Sequence, residues 1–337
     1  MDVVERWLWR QWSRRGPFAA AMFPLSLIYA GIANWKRNRL EEVQRTVFLP
    51  VKAVIVIGNL TVGGSGKTPM TAWLAGRLRD AGYRPGIVSR GYGRRNGAAS
   101  VLVGPGADPA TVGDEPIMLA RRTALPVWVD RDRVRAARAL AEQQGVDVVI
   151  SDDGLQHHRL PRDISILMVD GRRRFGNGLC LPAGPLREPR SAAERADFVV
   201  VTGGDPQPGE YRMHLAPSTL LRRVDRPAST RPLQELAGQV AHAVAGIADP
   251  ERFFDALEAA GIAVVPHPFP DHHRFRARDV VFDDQAPVLM TEKDAVKCRD
   301  FADERHWYWP VSAQPEAGLE QALLHRLETS IRLKYLG

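Results

Sequence analysis

The fold is decided by residues 54–68, which read VIVIGNLTVGGSGKT in this 337-residue chain. The first four residues, Val54 to Ile57, are all apolar, and such a short continuous run is typical of a fully buried strand. The glycine-rich segment behind it leads into a helix that the apolar spacing predicts over 70–81. A buried strand, a glycine-rich loop and a helix in succession are typical of the start of a parallel sheet. Residues 54–68 therefore predict an α/β fold.

The loop between this strand and this helix has the composition of a phosphate-binding loop (P-loop). Glycines allow backbone N–H groups to point at phosphate oxygens, and the start of the following helix adds positive potential. In the pattern G-x-x-x-x-G-K-[ST] the lysine reaches the β and γ phosphates and the hydroxyl binds magnesium. Lys67 and Thr68 occupy those positions, whereas Thr61 replaces the first glycine. The sequence therefore predicts nucleotide binding by eight loop residues, which are Thr61, Val62, Gly63, Gly64, Ser65, Gly66, Lys67 and Thr68.

Downstream segments continue the alternation of strands and helices. Further strands are predicted at 85–89, 127–129, 146–151, 164–170 and 198–202, with an Arg- and Ala-rich helix over 131–144. This alternation indicates a P-loop NTPase-like, mostly parallel sheet with helices on both faces. A second, smaller α/β domain is predicted from a strand at 240–246, a helix at 250–260 and strands at 263–266 and 288–290.

The predicted organisation has four parts. They are an N-terminal membrane-associated helix over 1–40, a P-loop domain over 41–205, a linker over 206–233 and the second α/β domain over 234–337. The linker prediction rests on the segment 203–233, which is rich in Pro, Gly and Arg and is therefore interpreted as a connector. A last helix, predicted over 319–333, could pack against either domain.

The N-terminal segment has the composition of a helix that contacts a membrane. Residues 16–35 carry no charge, and seven basic against two acidic residues in 1–39 supply +5 of the net +7. A basic end beside an apolar run favours anionic lipid over nucleic acid, which requires a basic face with base-reading or stacking groups. An interfacial or shallowly inserted anchor, a full span and an ordinary buried helix all remain open. The flanking Trp and Arg residues favour the membrane.

The strand predicted at 146–151 ends in an acid pair, Asp152-Asp153. In P-loop proteins a strand beside the loop typically ends in an acid that holds magnesium, directly or through water. The alternative interpretation is a helix cap or a turn. Adjacent strand residues point to opposite sides, so we expect one carboxylate to face the metal, and the sequence leaves open which. The pair is therefore a candidate Mg²⁺ site together with Thr68.

A second acidic turn, Gly113-Asp114-Glu115-Pro116, leads into a predicted helix. It either caps that helix, with a proline in the first turn, or supplies the general base for an attacking hydroxyl. The spacing alone does not decide between these roles.

Histidines occur in two further turns, His157-His158 and Asp271-His272-His273. A histidine in a loop is either a surface residue or a catalytic one, and both interpretations stay open. Metal binding by residues 271–273 is disfavoured because the chain has no third spaced set of ligands. The two cysteines, Cys180 and Cys298, also lack metal-ligand spacing, which favours a reducing compartment.

Taken together, these motifs resemble those of one family, the tetraacyldisaccharide 4'-kinases (lipid A 4'-kinases) of Gram-negative bacteria. The phosphate loop of that family has the same threonine in place of the first glycine. The matching segments are GNLTVGGSGKTP at 58–69, SRGYG at 89–93, GDEP at 113–116, DDGLQH at 152–157, PAGPLRE at 182–188, FPDHH at 269–273 and TEKD at 291–294. The resemblance extends from about Arg14 to Lys297 and includes the basic, apolar N-terminus.

The resemblance implies a reaction. The γ-phosphate of ATP would pass, with Mg²⁺ as cofactor, to the 4'-hydroxyl of a tetraacyl glucosamine disaccharide 1-phosphate, which is a lipid A precursor. The implied fold has two α/β/α domains joined by a small β linker, and their closure would assemble the site. The expected partners are this precursor and the membrane surface, at the cytoplasmic face of the bacterial inner membrane. No nucleic acid and no obligatory protein partner are expected.

The resemblance also implies roles for residues. Asp114 would be the base for the sugar hydroxyl, with His272, or alternatively His273, orienting it or tuning its pKa. Arg187 would stabilise the charge on the transferring phosphoryl group. Phosphates and magnesium would be bound by Lys67, Thr68, Asp152 and Asp153. Contacts to the nucleotide or the sugar substrate are expected from Arg90, Tyr92, Gln156 and His157.

The rival interpretation is a membrane-associated switch-type P-loop ATPase or GTPase that acts on a protein partner. The segment Thr291-Glu292-Lys293-Asp294 resembles a guanine-reading loop, although capping of the next helix explains it equally well. The absence of a second lysine within the loop and the presence of the Asp-His-His turn argue against that class.

Overall fold

A computed structural model describes residues 3–94, 99–104 and 106–336. Its helices are α1 (Val3–Trp12), α2 (Pro17–Gln44), α3 (Lys67–Asp80), α4 (Pro109–Val112), α5 (Asp114–Thr123), α6 (Arg133–Gln144), α7 (Pro250–Ala259), α8 (Ala277–Val280), α9 (Glu292–Cys298) and α10 (Leu319–Leu336). Its strands are β1 (Ala53–Gly58), β2 (Pro85–Ser89), β3 (Val101–Leu102), β4 (Val127–Val129), β5 (Val148–Ser151), β6 (Ile164–Asp170), β7 (Phe198–Thr202), β8 (Tyr211–Pro217), β9 (Leu220–Arg223), β10 (Thr230–Pro232), β11 (Val240–Ala245), β12 (Ala263–Pro268), β13 (Val288–Thr291), β14 (His306–Trp309) and β15 (Val311–Pro315).

The larger sheet has the strand order β15-β8-β7-β6-β1-β5-β2-β4-β3. Neighbouring strands from β8 to β4 pair in parallel, and antiparallel strands form both edges. All six residues of the central strand β1 are buried, as expected for a parallel strand that is covered on both faces. Alternate β1 residues pack with α3 and α10 on one face and with α2 and α6 on the other.

The smaller sheet has the strand order β10-β9-β14-β13-β11-β12. Its strands β12, β11, β13 and β14 are parallel, and β9 and β10 continue it antiparallel. Helix α7 packs on this sheet through Phe253, Phe254 and Leu257. The two sheets confirm the predicted fold class, a mostly parallel P-loop-type sheet with helices on both faces and a second, smaller α/β unit.

The connectivity of the two sheets differs from a simple succession along the chain. Every strand of the smaller sheet lies between residues 218 and 310, and the strands on either side of this segment, β8 and β15, pair with each other in the larger sheet. Val311 is the pairing partner of Pro217. Helix α10 then packs on the larger sheet through Leu319, Leu323 and Leu327.

The segment 203–233, interpreted from composition as a connector, contains the three strands β8, β9 and β10. Their residues are mostly half-buried or exposed, so they lack the continuous apolar run by which the inner strands were predicted. The domain boundaries near residues 40, 205 and 233 stay predictions.

Helix α2 packs on the larger sheet along one side only. Its buried residues are Ala19, Ser26 and Arg37, and the Ser26 hydroxyl donates a hydrogen bond to the carbonyl of Cys180 at 2.8 Å. The opposite side exposes large apolar residues, which are Phe23, Leu25, Leu27, Ile28, Ile32 and Trp35. By length and composition α2 is apolar enough to cross a membrane.

Candidate active site

The candidate site lies at the carboxyl edge of the larger sheet. Strands β1 and β5 are parallel neighbours, so the loops that follow them, residues 59–66 and 152–158, leave the sheet at the same edge. The chain continues from β1 to β2 on one side and reaches β6 on the other, which makes this edge a topological switch point. Open α/β sheets bind ligands at such points.

The phosphate loop has glycines where the backbone requires them. Gly63 has φ +101° and Gly66, the residue before α3, has φ +80°, a region that L side chains rarely adopt. Lys67 is the first residue of α3, and its ammonium donates to Asn59 Oδ1 at 3.1 Å. The Asn59 amide in turn donates to the Gly63 carbonyl at 3.1 Å. The lysine is therefore held above its own loop, at the positive end of a helix.

The residue that departs from the usual pattern, Thr61, has a structural reason to be there. It forms an antiparallel bridge with Leu186, and Val62 N donates to the Pro185 carbonyl at 3.1 Å. Threonine suits this extended backbone better than glycine does. The same pairing continues to Arg187, whose N–H donates to the Leu60 carbonyl at 2.7 Å. The 185–187 segment is therefore fastened to the phosphate loop and brings Arg187 beside it.

The two carboxylates after β5 face different partners. Asp152 is 2% exposed and accepts a hydrogen bond from the Thr71 hydroxyl at 2.9 Å. Asp153 lies 3.5 Å from Lys67 Nζ and 3.5 Å from Arg187 Nη1. Burial, together with the nearby charges of Glu115 and Asp153, raises the pKa of Asp152. Burial also raises the pKa of Asp153, but the charges of Lys67 and Arg187 outweigh it, so the pKa of Asp153 is lowered.

This donor set fits Mg²⁺, a hard cation that prefers oxygen ligands. Asp153 Oδ1 is buried, and within the part of the chain that the structure describes its partner is the Lys67 ammonium at the long distance of 3.5 Å. Thr68 adds a hydroxyl at the start of α3. Across residues 3–94, 99–104 and 106–336 there is no group of three or more His, Cys, Asp or Glu placed to hold a metal. Mg²⁺ is commonly bound by one or two carboxylates plus substrate phosphates, so two acids and a hydroxyl suffice.

A second cluster forms where the two sheets meet. Asp114 begins α5, is 6% exposed, and its Oδ2 lies 3.2 Å from His272 Nδ1. His272 belongs to the turn after β12 of the smaller sheet and has φ +59°, a strained backbone for this residue type. His273 instead lies 3.2 Å from Asp279 and stacks on Phe269. Of the two adjacent histidines, His272 is therefore the one that contacts Asp114.

The charge state of this pair follows from its neighbours. Burial raises the pKa of Asp114, but the hydrogen bond to His272 and the charge of Lys293 outweigh it and bring that pKa to about 2. The same hydrogen bond raises the pKa of His272, against the effects of burial and of Lys293. Asp114 is therefore an ionised, buried carboxylate at neutral pH.

The remaining predicted residues lie around these two clusters. Tyr92 follows β2, is 65% exposed, and places its ring 5.0 Å from that of His272. Gln156 donates to the Asn59 carbonyl at 2.9 Å and thus supports the phosphate loop. His157 Nε2 accepts from the Arg133 N–H at 3.4 Å, and burial lowers the pKa of His157 to about 4. Arg90, directly after β2, lies close enough to the Arg133 guanidinium to lower the pKa of Arg133.

The structure adds two residues that the sequence interpretation did not single out. Arg133 is 3% exposed at the start of α6, and burial lowers its pKa to about 10 despite the charges of Asp153 and Asp152. Lys293, at the start of α9, extends to Asp271 at 2.9 Å and to Asp114 at 3.9 Å. Arg133 lies in a helix with an ordinary basic composition, and Lys293 was considered within a cap, a guanine-reading loop and the family-matching segment TEKD, without a role of its own. The match of residues 291–294 to the family motif was the available signal for Lys293, whereas the helix of Arg133 carries none.

Comparison with known proteins places the chain among related enzymes. A model of the family described as "Tetraacyldisaccharide-1-P 4'-kinase" matches residues 18–328. The chain is 47% identical over 324 residues to the tetraacyldisaccharide 4'-kinase of Methylobacillus flagellatus, covering 96% of each chain. It is 48% identical over 326 residues to the enzyme of that name from Alkalilimnicola ehrlichii, covering 95% of each.

A solved structure is similar along nearly the whole chain. It is the crystal structure of the "apo" form of LpxK from Aquifex aeolicus in complex with ATP. The two structures superpose with a TM-score of 0.78 at 29% sequence identity, covering 92% of this chain and 99% of the other. Since the family model and relatives of this identity span almost all of its length, the chain belongs to the tetraacyldisaccharide-1-P 4'-kinase family.

Proposed function

We propose that this chain is an ATP-dependent kinase of lipid A biosynthesis that phosphorylates the 4'-hydroxyl of a tetraacyl glucosamine disaccharide 1-phosphate. The family match and the ATP bound to the similar Aquifex aeolicus structure support this reaction. The observation that carries the proposal is the buried carboxylate of Asp114, whose Oδ2 lies 3.2 Å from His272 Nδ1. Asp114 adjoins Glu115, whose charge acts on Asp152 of the phosphate loop cluster. A kinase that acts on an alcohol requires such a proton acceptor near the phosphates.

The phosphate loop cluster supplies the charge that phosphoryl transfer requires. The transition state is loose, with negative charge spread over the transferring group, so the protein contributes mainly position and electrostatic stabilisation. Lys67 at the start of α3 and Arg187 on the fastened 185–187 segment are the cations of this cluster. Both flank Asp153, which fixes their side chains before the nucleotide binds.

The second cluster handles the acceptor hydroxyl. Asp114 accepts the hydroxyl proton as the oxygen forms its bond to phosphorus, and the bond from phosphorus to the ADP oxygen breaks. His272 donates to Asp114 Oδ2 and thus orients the carboxylate. Tyr92 lies beside His272 with most of its surface exposed, where it can contact the sugar.

Thr68, Asp152 and Asp153 would hold Mg²⁺. When bound, the ion neutralises phosphate charge and orients the β and γ phosphates. Thr71, which donates to Asp152, keeps the Asp152 carboxylate oriented.

Helix α2 would place the enzyme on the membrane that holds its lipid substrate. Its polar contacts, Ser26 with Cys180 and Arg37 with Glu188 at 3.9 Å, fasten one side of the helix to the segment between β6 and β7. The opposite side exposes the apolar residues from Phe23 to Trp35. A helix fastened along its length and apolar on the other side suits shallow insertion in the interface rather than a full span. We assign it to the cytoplasmic leaflet, where ATP is available.

The test is a transfer assay. The detergent-solubilised protein is incubated with γ-labelled ATP, Mg²⁺ and the tetraacyl disaccharide 1-phosphate, and the lipids are then separated. We expect a labelled bisphosphorylated lipid that disappears in the Lys67→Ala variant. Release of free phosphate by the folded protein without any labelled lipid would contradict the proposal. It would favour the switch-type ATPase, against the family match.

A further inference from the structure

Lys293 connects three elements at the meeting point of the two sheets. Its ammonium donates to Asp271 Oδ1 at 2.9 Å, in the turn after β12, and lies 3.4 Å from His272 Nε2. It also lies 3.8 Å from Glu115 and 3.9 Å from Asp114, both on α5. Its side chain is only 17% exposed. A lysine held so far from water against three carboxylates and an imidazole is not a solvated surface charge.

Contacts of the neighbouring residue Asp294 fix the position of Lys293 at the start of α9. The Asp294 carboxylate, which is 0% exposed, accepts from the Thr291 hydroxyl and, at 2.9 Å, from the Gly246 N–H after β11. Asp294 also pairs with Lys297 at 2.7 Å. These contacts fasten the start of α9 to the smaller sheet, so the lysine extends from a rigid base towards α5.

The two contacts of the His272 ring determine its tautomer. An ammonium group only donates hydrogen bonds, so His272 Nε2, which faces Lys293, must present its lone pair. Nδ1 faces the ionised Asp114 and must therefore carry the proton. These two contacts are satisfied together by a neutral imidazole with the proton on Nδ1, whereas Asp271 Oδ2, 3.8 Å from Nε2, favours a second proton that Lys293 opposes.

We propose that Lys293 is a positioning residue for phosphoryl transfer, which opposes a second proton on His272 and holds the ring with its Nδ1 proton directed at Asp114. This inference rests on the proposed kinase function. The cation opposes a second proton on the ring, because an imidazolium at His272 would lie 3.4 Å from another positive charge. Through Asp271 the same ammonium holds the strained turn in which His272 has φ +59°.

The neighbours of His272 define the expected pH behaviour. The charged and titratable groups that face it or its partner Asp114 come from α5, α9, the turn after β2 and the turn of His272 itself, and they are Asp114, Glu115, Lys293, Lys297, Tyr92 and Asp271. Lysine charge lowers the pKa of both His272 and Asp114. Removing the charge of Lys293 raises both pKa values, so both changes move the acidic limb of activity to higher pH.

The experiment measures pH–rate profiles of lipid phosphorylation for three proteins: the wild type, Lys293→Met and Lys293→Arg. For Lys293→Met we expect kcat to fall by about 10², with an unchanged KM for ATP and an acidic limb about 1 pH unit higher. Lys293→Arg keeps the charge, so its acidic limb should stay at the wild-type position. Lys52→Met is the matched control, because Lys52 lies just before β1, at the opposite edge of the sheet, where it pairs with Asp147 at 3.0 Å.

The outcomes separate the inference from the proposed function. Wild-type protein that phosphorylates no lipid would contradict the kinase proposal itself. An active wild type with Lys293→Met lowered in stability and rate, but with the wild-type acidic limb, would reduce Lys293 to a structural role and overturn the inference. Introducing Lys293→Met into the His272→Gln variant provides a further check. If Lys293 acts through His272, the substitution should shift the acidic limb of the pH–rate profile less in this background than in the wild type.

Discussion

The two halves of the active site are built in different ways. The phosphate loop cluster comes from the ends of two adjacent strands of one sheet: Lys67 starts the helix after β1, and Asp153 follows the neighbouring strand β5. The second cluster brings Asp114 together with His272, 158 residues away, and with Lys293 from a third segment. The first half is therefore present whenever the larger sheet is folded, whereas the second requires the smaller sheet to be docked against α5. Nucleotide binding and activation of the acceptor should respond to mutation independently.

The largest expected effect is the loss of Lys67. Lys67→Ala removes the cation that we propose contacts the β and γ phosphates, so we expect turnover to fall by about 10³ or more. Nucleotide affinity, measured with a fluorescent ATP analogue, should fall as well. Lys67→Ala with wild-type nucleotide affinity would mean that the first half does not bind phosphate through this residue.

The next effect comes from Asp114, the proposed base. Asp114→Asn keeps the size of the side chain but removes the proton acceptor, and we expect kcat to fall by about 10²–10³ while ATP-analogue affinity stays at the wild-type value. Steady-state kinetics and the same binding assay measure this difference. Combining Asp114→Asn with His272→Gln should cost little more than Asp114→Asn alone, because residues that act as a unit are not additive. Near-normal turnover of Asp114→Asn would exclude it as the base.

A moderate effect is expected from the contact that docks the smaller sheet against α5. Arg122 on α5 donates to Glu292 on α9 at 3.1 Å and to Ser312 on β15 at 3.0 Å. Arg122→Met should lower kcat about tenfold and cost about 2 kcal/mol of stability, since hydrogen bonds to charged groups contribute on this order. Nucleotide affinity should not change. The control is Arg326→Met on α10, which removes a more exposed pair with Asp197, the residue before β7. An equal loss of kcat in both variants would contradict a role of the α5–α9 contact.

The smallest effect is a pH dependence of stability. The pKa of Asp114 is about 2 in the folded protein, below the value of an unperturbed aspartate, so its contribution is present above about pH 4. It is lost as the pH falls through the folded pKa. From pH 5 to pH 3 we therefore expect wild type to lose about 1 kcal/mol more than Asp114→Asn, as measured by urea unfolding. Parallel curves for the two proteins would show that the carboxylate is not held ionised by the fold.

The sequence predicted the first half of the site more completely than the second. Residues 54–68 carry a strand, a loop and a helix start in one local pattern, and the structure has β1 and α3 at those positions. The contact between Asp114 and His272 is not local. It followed from a family resemblance, because no periodicity relates residues 158 apart. The roles of these residues in catalysis stay predictions until the variants are measured.

Lys293 and the edge strands show what a single sequence lacks. The contact of Lys293 with Asp114 depends on the docking of α9 against α5, which no local sequence pattern encodes. Strands β8 and β15 escape prediction because their residues alternate among exposed, half-buried and buried positions and are interrupted by polar residues. β8 and β15 form strands because they pair with each other, and this pairing between distant segments depends on tertiary structure rather than on local sequence.

The pairing of β8 with β15 also means that the smaller sheet is an insertion between two paired strands of the larger sheet. Residues 218–310 leave and re-enter the host sheet at adjacent positions, since Pro217 and Val311 are partners and Ser218 N donates to the Pro310 carbonyl at 2.8 Å. Two chain crossings side by side act as a double-stranded hinge, which permits rotation but resists separation of the units. Residues 218–310 could therefore be deleted and replaced by a short turn from residue 217 to residue 311 without breaking the pairing of β8 with β15. Such a protein would retain the phosphate loop but lack His272 and Lys293. We expect it to bind a nucleotide but to leave Asp114, the proposed base, without the side chains that orient it.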